Sequence, residues 1–97
     1  MATSAEWHED YNKMADATRN FSRAIKSVQE ELEAVDWYNQ RAEACADAEL
    51  KAILAHNRDE EIEHASMTLE WIRRRSPAFD KQLRRALFKS GPITGEH

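Results

Sequence analysis

The sequence predicts an all-α fold, an antiparallel hairpin of two long helices followed by a shorter third, on three observations. Glycine and proline are scarce, two of each in 97 residues, and the first proline is Pro77. A sheet with many turns needs more punctuation than that. Apolar residues recur at helical spacing from Met14 to Val35 and again from Leu50 to Trp71, rather than in the alternation of a strand. The two interruptions of this pattern, near Asp47 and at Ser76-Pro77, carry helix-starting residues.

Met14, Phe21, Ile25, Val28, Leu32 and Val35 keep one narrow stripe and predict a first helix over about 9–44. "EACADAEL" then breaks the chain, with Asp47 as N-cap and Glu49 in the first turn of a second helix over 48–75. Arg73, Arg74 and Arg75 suit the negative C-terminal end of that helix dipole. Ser76 followed by Pro77 reads as a cap and a first-turn proline, opening a third helix over 77–89 that stops before "SGP". Residues 90–97 read as a flexible tail, and the whole of 1–97 as one domain. A two-helix hairpin cannot cover its own stripes, so a second copy is expected to complete a four-helix bundle.

Charge narrows the partners. The chain carries −4 overall, but residues 1–70 carry −9 and residues 71–97 carry +5. The acidic majority repels phosphate backbones, and the basic tail has no aromatics interleaved on its basic face, so nucleic acid is not an expected partner. No apolar run is long enough to span a bilayer, and "MATSAEWHEDYNK" lacks the layout of a secretory signal. The expected location is cytoplasmic. Cys45 is a single thiol without metal-ligand spacing and reads as a small packed side chain.

The second helix carries the chemistry. Its stripe runs Leu50, Ile53, Leu54, Asn57, Glu61, His64, Thr68, Trp71, so apolar ends flank a polar middle. An unpaired carboxylate at such a position costs several kcal/mol, of the order of a small domain's whole stability (~5 kcal/mol or more). Glu61 and His64 are three apart and converge on one side of the helix. On the first helix Glu31 and Tyr38, seven apart, flank the Val28, Leu32, Val35 stripe and face a partner helix. One Glu from one helix plus Glu-x-x-His from another is half the ligand set of a carboxylate-bridged di-iron bundle, and a two-fold axis supplies the other half. Carboxylates and one imidazole per metal suit iron, with positions left open for oxygen or peroxide. The absence of thiolate from the set makes structural zinc less attractive.

Glu30, Glu33 and Trp37 gather on the opposite, outward face of the first helix. Their plain reading is a solvated face with an oligomer contact at Trp37; their second reading is a metal-attracting patch. His8, His56 and His97 read as ordinary surface residues, and Met14, Met67 and Trp71 as packing.

"EELEAVDWY" at 30–38, "LAHNRDEEIEHASMTLEWIRR" at 54–74 and "GPIT" at 91–94 resemble the encapsulated ferritins, and the resemblance covers most of the chain. It implies a hairpin that dimerises into a ferritin-like four-helix bundle, five dimers closing into a ring, and a ferroxidase site across the dimer interface. It implies that Glu31, Glu61 and His64 are iron ligands, two Fe per dimer with other divalent cations able to substitute, and that Tyr38 is the tyrosine beside them. Glu30, Glu33 and Trp37 correspond to the metal attraction site. The resemblance further implies Fe(II) oxidation by oxygen or peroxide inside an encapsulin nanocompartment, whose shell stores the product. The family's short C-terminal targeting sequence is not found in "TGEH", which reads as a truncated chain.

The expected function is thus a homo-oligomeric ferroxidase serving iron storage. The alternative is a metal-independent helical assembly or adaptor module, in which Glu61 and His64 only hydrogen-bond. A rubrerythrin-type peroxidase lacks support because the chain has no Cys-rich iron domain.

Overall fold

A computed structural model of the protein describes residues 7–95. It is all-helical among those residues: α1 covers Asp16–Ala44, α2 Ala48–Arg75 and α3 Pro77–Ala86. The two long helices, 29 and 28 residues and each roughly 42 Å at 1.5 Å per residue, pack side by side as a hairpin. The molecule is flat, 50 × 44 × 19 Å, with a radius of gyration of 17.3 Å. A compact chain of this length would have about 12.5 Å.

α1 begins seven residues later than the apolar stripe predicts. A single 3₁₀ turn over Tyr11–Lys13, capped by the Asp10 carboxylate accepting from Asn12 N–H, uses up the local hydrogen bonds. Met14 and Ala15 then run extended, so Met14 belongs to a strap leading into α1. Arg19 locks that strap: its guanidinium donates twice to the Tyr11 carbonyl and lies 3.9 Å from the centre of the Tyr11 ring. Such a contact over eight residues is invisible to a periodicity argument.

The other starts follow local chemistry. Asp47 accepts from Leu50 N–H at 2.8 Å and caps α2, and Ser76 accepts from Phe79 N–H to cap α3, with Pro77 in its first turn. Caps of this kind satisfy a backbone donor that the helix cannot. α3 stops at Ala86 rather than 89, because Leu87 is extended and Phe88 takes a left-handed φ of 59°. Of the expected tail, Pro92 and Gly95 close a turn through Gly95 N–H to the Pro92 carbonyl. Glu96 and His97 lie outside the described residues.

Among the described residues only Ala42, Ala65 and Ile72 are buried. The small residues sit where the helices approach, and Ile72 fills the end of the hairpin where α3 turns back, with Phe79 of α3 6.0 Å from Phe21 of α1. The stripes predicted as core are only partly covered: Leu32 is 56% and Ile53 52% exposed, with Leu50 and Met67 also open. Two helices offer each other one flank, and the rest of each apolar face stays bare.

Candidate metal centre

The middle of α2 holds the polar break. Glu61 and His64 project from adjacent turns, and His64 Nδ1 lies 3.1 Å from Glu61 Oε1. Their side chains are 24% and 42% exposed, so both are only part-buried. An ionised carboxylate only accepts, so the imidazole donates to it through Nδ1–H. The spacing also suits chelation. Two donors 3.1 Å apart, each roughly 2.1 Å from one ion, subtend about 95° there, near the right angle of an octahedral site.

Glu31 on α1 supplies the second element. Its Oε1 is buried and has no hydrogen-bond partner among the described residues. An orphaned acceptor of this kind costs about 1–3 kcal/mol, so a fold that keeps one has a use for it. A hard carboxylate oxygen without a proton donor fits a cation of the oxygen-loving class. Taken as one set across α1 and α2, the Glu31 and Glu61 carboxylates and the His64 imidazole suit iron.

One chain does not complete the set. Among the described residues no three of His, Cys, Asp and Glu come together as a metal-holding group. Glu61 and His64 meet; Glu31 remains apart from them. Tyr38 is half-buried two turns beyond Glu31, with the Arg41 guanidinium 5.4 Å from its ring and 6.0 Å from that of Trp37. Glu30, Glu33 and Trp37 are exposed on α1 and form no three-ligand group. Beside the site, His56 is less ordinary than expected, since its Nε2 lies 2.7 Å from Glu60 Oε1 on the outer side of α2.

Two residues escaped the sequence reading. Arg58 of α2 donates to Asn39 Oδ1 of α1 and to Asp59 Oδ1, each at 3.0 Å. Arg41 braces Trp37 and Tyr38 together. Arg41 follows those rings by three and four residues, a spacing that signals contact on a helix; nothing local signals Arg58.

A family model described as EncFtn-like matches residues 6–90. The chain belongs to the EncFtn-like family. Consistent with that, it is 58% identical over 92 residues to an encapsulated ferritin-like protein of Rhodospirillum rubrum, covering 95% of this chain and 66% of the relative. It is 48% identical to a ferritin-like protein of Thermotoga maritima, covering 92% of this chain and 78% of the relative. A third relative, the encapsulin nanocompartment cargo protein EncC of Myxococcus xanthus, is 35% identical, with 84% and 62% covered. The chain thus spans somewhat less than two thirds of the first and third of these relatives. The fold of this EncFtn-like chain is also that of a crystal structure of protein ne0167 from Nitrosomonas europaea, with a TM-score of 0.88, 62% identity and coverage of 92% and 98%.

Proposed function

We propose that two copies of the chain together form a ferroxidase site, in which Glu31, Glu61 and His64 of each copy hold Fe(II) as substrate. The observation that carries this reading is the orphaned, buried Oε1 of Glu31 on α1 together with a Glu61–His64 pair on α2 that no third ligand completes within the described residues of a single chain. A two-fold axis adds a second Glu and a second Glu-x-x-His, the set that bridges a pair of irons in a four-helix bundle. The bare flanks at Leu32, Ile53 and Met67 give the second copy an apolar surface to cover.

Two Fe(II) give one electron each to dioxygen, which takes up two protons and leaves as hydrogen peroxide; with peroxide as oxidant, the two electrons and two protons yield two waters. The chain's own groups do the rest. Carboxylates of Glu31 and Glu61 offset the extra positive charge of the oxidised product better than that of the reactant, which favours the forward step. His64 holds its proton at Nδ1 against Glu61 until a cation replaces it. Tyr38, braced by Arg41, stands two turns from Glu31 as a hydrogen-bonding or electron-donating group. Glu30 and Glu33, with Trp37, raise the local cation concentration on the outward face.

Membership of the EncFtn-like family and likeness to an encapsulin cargo protein support storage of the product in an encapsulin shell, and the ring of five dimers implied by the sequence resemblance belongs to the same reading. A flat, open half-bundle has no interior in which to collect a mineral. Sedimentation of the full chain with and without Fe(II) tests the shared site. Iron shifts the distribution toward dimers and larger rings, and Glu31→Ala abolishes the shift; identical distributions at every protein concentration would overturn the reading.

A further inference from the structure

Away from the acidic residues, a cleft of about 480 Å³ opens between the N-terminal strap and the start of α1. Trp7 and His8 line it from the strap, and Ser22, Arg23, Lys26 and Ser27 from α1, on adjoining flanks of the helix. No carboxylate lines it, although 18 of the 97 residues are Asp or Glu. Every charged or hydroxyl group facing this space can donate a hydrogen bond.

The arginine is preset. Its Nη1 donates to Asn20 Oδ1 at 2.8 Å and its Nη2 to the Tyr11 hydroxyl at 3.2 Å. Both acceptors are neutral, so the guanidinium is held in place with its charge uncompensated and three of its five donor hydrogens unspent. Tyr11 is itself fixed, edge-on to Trp7 at 5.1 Å and beneath Arg19 at 3.9 Å. Neither Arg23 nor Lys26 has an ion-pair partner among the described residues. An arginine held by two hydrogen bonds, a lysine and two hydroxyls around an open space are the components of an oxyanion site.

We infer that this cleft binds inorganic phosphate, through Arg23, Lys26, Ser22 and Ser27. The cleft is larger than the ion, so phosphate enters with part of its water shell, at roughly 30 Å³ per water. Gln29 also lines the cleft and directly precedes Glu30, which places the anion within two turns of the outward acids. Phosphate held there would be a counter-ion for Fe(III) leaving the chain. Only that last step rests on the ferroxidase reading; binding itself is tested without iron.

Isothermal titration of the iron-free full chain with phosphate, at constant ionic strength, decides the matter. One saturable site per chain is expected, with sulfate competing and chloride not. Arg23→Gln and Lys26→Gln each weaken binding tenfold or more and Ser27→Ala severalfold, with helicity by circular dichroism unchanged. Lys51→Gln, on α2 outside the cleft, binds as wild type. Trp7 emission changes on binding, and that change is lost in Trp7→Phe. Heats equal to those of chloride, or wild-type affinity in both Arg23→Gln and Lys26→Gln, would overturn the assignment.

Discussion

Arg58 on α2 and Asn39 on α1 share the only side-chain hydrogen bond that crosses between the two long helices among the described residues, at 3.0 Å. Asn39 follows Tyr38, and Arg58 precedes Glu61 by three. The pair therefore fixes the register of α2, which carries Glu61 and His64, against α1, which carries Glu31. Apolar flanks alone specify register loosely, whereas a directional bond does not slide.

Arg58→Ala removes this tie and the contact to Asp59. With Arg58 30% exposed, the loss should be about 1 kcal/mol, read as a lower urea midpoint with an unchanged slope. A double-mutant cycle with Asn39→Ala should show coupling of about 0.5 kcal/mol or more; strict additivity would remove the register argument.

Glu31→Met should separate stability from function. Replacing the orphaned carboxylate by an apolar group of similar length removes an unsatisfied acceptor, so the metal-free chain should gain about 1 kcal/mol or more. The same variant should lose the rise in melting temperature that divalent cations give the wild type. A less stable metal-free variant would show that Glu31 already has a partner in solution.

The attachment of α3 should weaken in acid. Glu70 is held down to about 2 by hydrogen bonds from Arg73 and Arg74, and Asp80 is lowered by Arg73 and then Arg84. Both acids bind protons more weakly folded than unfolded, so their contribution is complete above the ordinary carboxylate range and disappears as pH falls from about 4.5 toward 2. Hydrogen exchange in α3 should accelerate over that window ahead of α1 and α2, and Glu70→Gln with Asp80→Asn should flatten the dependence.

Asp47 caps the helix that carries Glu61 and His64. Asp47→Ala should cost about 1 kcal/mol, and Asp47→Ser much less, by thermal denaturation. Equal losses in the two would mean that the cap at Leu50 N–H is not what starts α2.

The parts of the molecule legible in the sequence are those set by neighbours within about one turn. Asp47 and Ser76 cap where they do because a carboxylate and a hydroxyl reach a backbone N–H three residues on. Glu61 and His64 meet because a helix brings residues three apart together. The late start of α1 was not legible, since Arg19 reaches back eight residues to Tyr11. Nor was the bareness of Leu32 and Ile53: periodicity names an apolar face but not whether one chain can cover it. The orphaned oxygen of Glu31 and the Arg58–Asn39 tie depend on how two distant helices lie against each other, which no local pattern records.

The central claim is a shared iron site, and an anaerobic Fe(II) titration followed by air tests it most directly, with Fe(III) followed by near-ultraviolet absorbance in wild type and His64→Ala. Fast oxidation that saturates near one iron per chain, about two per dimer, and is lost in the variant is the predicted result. Slow oxidation at the same rate in both proteins would contradict it.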